Sequence, residues 1–253
     1  MKKLLFILYS FFVFCSFTKV SSQTIKPREK LVFAGSYNMS GLMTQLAQVT
    51  MSTENVTTAK NTYLHLSCEL STYSKWDSFF KIRDLYESYV NPSTLKPSLY
   101  KRNIDEGGWT KKEKYVFKEN SVNSTSKKKN TPETQNTFTI GGSTQDVISL
   151  LYKVRTMDLS KFKVGQTQSL MIVFDEKQIP VTLKYMGKET VSAGNLGSKE
   201  CYKLSIGAKT DALKGKDKNL IWLTADNKKV PTLLKFSIPV GTGKLTLTSA
   251  TGI

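Results

Sequence analysis

From residue 30 onward, apolar side chains return at every second position in one run after another. Leu31, Phe33 and Tyr37 share a parity in KLVFAGSY, and Ile179, Val181, Leu183 and Tyr185 do so in IPVTLKY. Leu234, Phe236 and Ile238, then Leu245 and Leu247, repeat the pattern near the C-terminus. A period of two places such residues on one face of a pleated strand, with polar neighbours on the other. SLMIVFD and LIWL are apolar on both parities, which suits the centre of a sheet. Short polar clusters at Asp175-Glu176-Lys177, Ala225-Asp226-Asn227 and Gly241-Thr242-Gly243 read as turns. The predicted class is mainly β: an antiparallel curved sheet, half-barrel or sandwich.

Three stretches depart from this rhythm. In GGSTQDVISLLYKVRTMDL, Val147, Leu151 and Val154 fall at helical spacing behind Ser143 or Thr144 as cap, which predicts one packed α-helix over about 144–157. In DSFFKIRDLYESYV the apolar residues fit either an amphipathic helix or a strand. The turn-forming NPSTLKP and the strand-like SLYKRN that follow favour a hairpin, so the prediction is a short helical turn near 75–81 feeding a strand over Arg83–Val90. Residues 119–137, polar and lysine-rich, are expected to form a mobile loop dividing two halves of the domain.

The N-terminus adds a compartment. Lys2 and Lys3 precede an apolar run, Leu4–Phe17, that is too short to span a bilayer but fits a signal peptide over residues 1–22. Val20 and Ser22 are the small residues expected before cleavage, leaving 23–253 as a single exported domain. Phe14 before Cys15 argues against a lipoprotein signal. No later run is apolar for the roughly 20 residues of a transmembrane helix, so the expected product is soluble in the periplasm or at the cell surface of a Gram-negative bacterium.

Charge bears on partners. The chain has 37 Lys and Arg against 20 Asp and Glu, and removing Lys2, Lys3 and Lys19 with the signal still leaves a strong positive excess. Outside the cytoplasm this favours lipid headgroups, lipopolysaccharide phosphates or acidic glycans over nucleic acid. The lysines are spread along the chain, which equally describes a solvated surface.

Catalytic patterns are sparse. His65 is the single histidine, so multi-histidine metal sites are excluded, and its parity in TYLHLSCEL points it to solvent, opposite Leu64 and Leu66. No nucleophile elbow, phosphate loop or dinucleotide fingerprint occurs, and nothing calls for a cofactor. Gly141–Thr144 could offer amides to an anion, although helix capping accounts for it. Asp84, Glu106 and Asp175 are the carboxylates a hydrolase would need near one cleft. An oxidising compartment could join Cys68 and Cys201, yet Cys201 shares its strand face with Lys203 and Ser205. In YKRNIDEGGWTKKEKYVF, Trp109 shares a face with Glu113, Tyr115 and Phe117, while Lys112 and Lys114 share the other. Arg83, Asp84, Trp109, Lys112 and Lys114 are thus the candidate ligand contacts, with Arg83 and Asp84 on opposite faces.

The segments FFKIRDLYESYVNPSTLKPSLYKRNIDEGGW, DVISLLYKVRTMDLSKFKVGQT, VTLKYMGKETV and NLIWLTADNKKVPTLLKFSIPVGTGKLTLT resemble an exported Bacteroidota family catalogued as domain of unknown function 3108. The resemblance runs from Lys30 to the end and implies export and a β-rich fold, without an assigned activity. The family usually carries Asp where Asn91 stands. The turn Asn91–Pro97 is similar to one in periplasmic lipoprotein-carrier proteins, whose half-open barrels hold acyl chains. The expected function is non-enzymatic binding of an amphiphilic or anionic envelope component. The alternatives are a structural component contacting an outer-membrane protein and, third, a carboxylate-based glycan or ester hydrolase.

Overall fold

A computed structural model describes residues 25–39, 41–208, 219–238 and 241–253. The expected signal peptide and its cleavage after Ser22 lie outside the described residues. The strands are β1 (Lys30–Met39), β2 (Leu42–Thr57), β3 (Thr62–Thr72), β4 (Arg83–Val90), β5 (Pro97–Glu106), β6 (Trp109–Phe117), β7 (Ser121–Lys128), β8 (Thr134–Thr139), β9 (Thr167–Phe174), β10 (Lys177–Ser192), β11 (Ser198–Ala208), β12 (Leu220–Thr224), β13 (Pro231–Ile238) and β14 (Gly241–Thr251). Two helices interrupt them, α1 (Ser74–Asp77) and α2 (Val147–Arg155).

All fourteen described strands form one antiparallel sheet, in the order β8-β7-β6-β5-β4-β3-β2-β1-β14-β13-β12-β11-β10-β9. The chain lays down one arm outward from β1 to β8, crosses to the far edge through α2, and returns from β9 to β14. The last strand then pairs with the first, Lys30 opposite Thr251. β8 and β9 do not pair, so the sheet stays open. The pairing along β1 shifts at Val32/Phe33, where β14 skips Thr248, and at Gly35/Ser36, where β2 skips Leu46, so the strands on both sides of β1 carry bulges. Bulges bend a strand and increase its twist, which curls the sheet about this central strand. Leu31 and Phe33 on β1, Leu64 and Leu66 on β3, Tyr100 on β5, Val122 on β7 and Val173 on β9 consequently join one core, together with Ile148 and Tyr152 of α2. The helix lies in the concavity, packed on β3, β4 and β9.

The predicted strand Arg83–Val90 is β4, and the helical turn shortens to Ser74–Asp77. The packed helix begins later than 144. Asp146 is its cap: the carboxylate accepts from the Ile148 and Ser149 amides at 2.9 and 2.8 Å, while Ser149 Oγ accepts from the Asp146 amide. Thr144 instead donates to the Gly141 carbonyl in the preceding turn.

The mobile loop expected over 119–137 is not found. Those residues contain β7 and most of β8, paired from Ser121 opposite Thr139 to Ser126 opposite Thr134. Polarity misled here because Ser124 and Ser126 point inward, where small hydroxyls fit beneath neighbouring side chains. SLMIVFD is also not central. β9 is an edge strand: α2 packs against it, and Gln145 pairs with its outer edge through the Met171 carbonyl and Val173 amide. LIWL, as β12, is internal and largely buried. Gly241–Gly243 lies within β14 and not in a turn.

Candidate functional site

The inner surface of the curved sheet divides into an apolar and a polar region. On β1, β2 and the returning arm the inward side chains are aliphatic and aromatic, and they do not fill the space beneath α2. A cavity of about 330 Å3 remains. Phe33, Leu183 and Ile221 form its floor, and Ile148, Leu151 and Val154 of α2 its roof. Ile206, Leu220 and Phe236, partly exposed, together with Lys235, form its rim. At that rim Asn219 is 4% exposed; its Oδ1 accepts from the Ser237 amide at 3.0 Å, while its Nδ2 has no partner among the described residues. A buried donor without an acceptor costs on the order of 1–3 kcal/mol. Cys68 lines the cavity too, and burial, then the charges of Asp84 and Glu69, push its thiol up to about 12.

Toward β4–β7 the inner face becomes polar. Arg102 on β5 and Lys111 on β6 both pair with Glu113, Lys111 at 2.7 Å, and both reach across the open side of the sheet to Asp175, at 2.5 and 2.9 Å. Asp175 and Glu176 form the tight β9–β10 turn with φ of 46° and 61°, as the turn signal predicted. The Glu176 carboxylate accepts from Ser124 at 2.5 Å, and its amide donates to Tyr115 Oη. Burial opposes ionisation of Asp175, but the hydrogen bonds from Lys111 and Arg102 hold its carboxyl below the usual range. The two arms, unjoined by backbone pairing at β8 and β9, are thus tied by charge at this turn. A second buried pair, Arg155 to Glu29 at 2.7 Å through both nitrogens, fastens α2 to the residue before β1.

The sequence-derived candidates separate. Arg83 holds α1 in place, through Asp77 at 2.5 Å and the Thr72 hydroxyl at 3.0 Å. Asp84, on the opposite face as expected, is 2% exposed and points inward. Burial raises its carboxyl most, the Asp105 amide works the other way, and Glu106 adds to the rise, placing it at about 7. Trp109 stands at the strand's exposed tip, and Lys112 and Lys114 face outward, so the three do not converge. The inward residues of that strand, Lys111, Glu113 and Tyr115, were the informative ones; their alternation with Lys112 and Lys114 was the available signal. Cys68 and Cys201 are free thiols. Five strands separate β3 from β11 in the sheet, and Cys201 contacts Thr232 on β13 instead, so no bridge forms.

His65 is on the outer face as predicted but not bare. It lies between Glu54 and Glu87, at 2.9 and 3.0 Å, and stacks on Tyr89. Asn91 accepts from the Ser93 and Thr94 amides, a turn-forming role that Asp or Asn fulfils equally. Glu106 lies near enough to raise the Asp84 carboxyl, while Asp175 is engaged instead by two cations, Arg102 and Lys111. Among the described residues no group of three or more His, Cys, Asp or Glu could hold a metal ion, and no helix is long and apolar enough to cross a membrane.

The family model described as "Protein of unknown function (DUF3108)" matches residues 36–248. No curated protein matches the chain. Among solved structures, a β-barrel-like protein of domain of unknown function DUF1849 from Brucella abortus is similar at a TM-score of 0.58 and 8% identity, over 88% of this chain and 97% of that one. The likeness is one of fold: a curled, barrel-like sheet. A candidate lipoprotein from Parabacteroides distasonis is similar at 8% identity over 89% of this chain and 96% of that one. Its TM-score of 0.35 carries no argument about this chain.

Proposed function

We propose that this chain, which belongs to the family described as protein of unknown function DUF3108, is an exported binding protein that shelters the apolar chain of an envelope amphiphile. It would do so without transforming it. The observation that carries this reading is the apolar cavity of about 330 Å3 between α2 and the returning arm of the sheet. At about 30 Å3 per methylene-sized group it has room for on the order of ten such groups. Burying them at about 0.8 kcal/mol each yields roughly 8 kcal/mol, so after ordering costs a dissociation constant in the micromolar range or weaker is expected. The free Nδ2 of Asn219 at the rim supplies a donor for a carboxylate or ester carbonyl, which would orient the chain inward and the headgroup outward.

The test is titration of the purified mature chain with a dansyl-labelled medium-chain fatty acid, alongside native mass spectrometry of protein from its own host. Saturable fluorescence enhancement that unlabelled fatty acid reverses supports the reading, and Ile206→Trp at the rim should abolish it. No saturable signal up to about 1 mM, the weak end of the affinity expected after ordering costs, would reject it. A second reading, a structural component that binds an outer-membrane protein, draws on the polar and mostly exposed edge strand β8. Crosslinking in cells that returns only monomer counts against it.

A further inference from the structure

In a meander, alternate turns fall at the same end. The β1–β2, β5–β6, β7–β8 and β9–β10 turns and the α1 segment between β3 and β4 therefore gather at one end of the curled sheet. The cavity rim at Ile206, Leu220 and Phe236 faces the same way, because β11 ends there and β12 begins there. Large apolar side chains concentrate at this end: Leu42 is 71% exposed, Phe79 75%, Phe80 48% and Trp109 46%. Contacts link several of the segments that carry them. Trp76 of α1 donates to the Gln45 carbonyl on β2, the Phe80 ring lies over Gly107 in the β5–β6 turn, and Lys129 donates to the Gly108 carbonyl.

The charge around these side chains is positive. Lys75, Lys81, Lys127, Lys128 and Lys129 are exposed at this end, with Lys112 just below. Among the described residues Lys112, Lys127 and Lys128 make no ion pair. Among the described residues the acids here are largely engaged or recessed: Asp77 is held by Arg83, Asp175 by Arg102 and Lys111, and Asp105 and Glu106 are half-buried, leaving Glu133 exposed. Exposed aromatics ringed by lysines combine the two attractions that seat a protein at a bilayer interface: ring insertion at headgroup depth and attraction to anionic lipid.

We propose that this end of the protein docks on the surface of an anionic lipid bilayer, with Phe79, Phe80 and Trp109 inserted and the lysines on the headgroups. Docked in this way, the cavity rim faces the lipid. Such docking is separate from the proposed cavity function and is testable without any cavity ligand.

The experiment is co-sedimentation of the mature chain with vesicles of phosphatidylcholine alone or with roughly one-third phosphatidylglycerol, at low and high salt. Binding is expected on the anionic vesicles, weakening with salt. Phe79→Ser with Phe80→Ser should lower partitioning about tenfold or more, and Lys127→Gln with Lys128→Gln about tenfold at low salt. Val164→Ser is the control: Val164 is 73% exposed but precedes β9 at the opposite end, and its loss should change nothing. Unchanged thermal melts certify that the variants fold. Failure of the wild-type chain to sediment, or equal sedimentation of the Phe79/Phe80 variant, would overturn the proposal whatever the fatty-acid titration returns.

Discussion

Replacing Asp84 by Asn should make this protein more stable at pH 8 and leave it unchanged near pH 4. Asp84 is inward-facing, 2% exposed, and its carboxyl is raised from 3.8 to about 7, chiefly by burial. Between those values the folded chain holds a proton that the unfolded chain has released, so wild-type stability falls as pH rises through the interval. The penalty is absent below about 4 and complete above about 7. At 1.36 kcal/mol per pH unit of displacement the upper bound is about 4 kcal/mol, and relaxation around Glu106 reduces the expected gain to roughly 2–4 kcal/mol. Asn retains an oxygen to accept from the Asp105 amide, which Asp84 binds at 3.1 Å, so no backbone donor is orphaned. Urea unfolding followed by tryptophan fluorescence, to which the 1%-exposed Trp222 responds on unfolding, measures the difference, and comparing variant with wild type at each pH cancels other groups such as the buried Asp146. Parallel stability curves for the two proteins, or a variant weakened equally at pH 4 and pH 8, would contradict a raised Asp84.

Other outcomes follow from the same contacts. Glu29→Gln leaves the buried guanidinium of Arg155 without its counter-charge and should cost about 3–5 kcal/mol in urea unfolding, a loss much reduced when both residues are replaced by apolar ones. Gly194→Ala should destabilise by at least about 2 kcal/mol, because φ is +58° and an added Cβ would meet the Thr248 carbonyl oxygen at 2.5 Å. Asp175→Ala should loosen the charge tie between the arms, read as faster hydrogen exchange in β9, β10 and β5–β6 with β1–β3 unaffected. In thiol titration of residues 23–253, the two thiols Cys68 and Cys201 should react in denaturant, with Cys68 inert at pH 8 in the folded state because its thiol is held at about 12.

The strand pattern is legible in the sequence because one face of most strands is buried, and burial writes period two into the residues. Leu183 and Tyr185 declare their face by alternation alone, and the strand Arg83–Val90 is legible from the turn that follows it. β7 and β8 are not. Their inward residues include Ser124 and Ser126, whose hydroxyls satisfy the polar region of the concavity, so hydrophobicity carries no signal there. β9 misleads for the complementary reason: its apolar residues are covered by the helix α2, while its place at the sheet's edge is set by strand order and not by its own residues.

The candidate site is legible only in fragments. Arg102, Lys111 and Asp175 are far apart in sequence, and no local pattern announces that a β9–β10 turn will seat between two cations on β5 and β6. Near neighbours along the chain are enough to specify the antiparallel β class, the single packed helix and the opposite facings of Arg83 and Asp84, since these depend on alternation and capping. The sheet order, the open seam tied by charge, the cavity beneath α2 and the gathering of Phe79, Phe80 and Trp109 at one end emerge only in the folded molecule. Those depend on how far the sheet curls and which distant strands meet, and curvature arises from bulges and packing summed over the whole sheet.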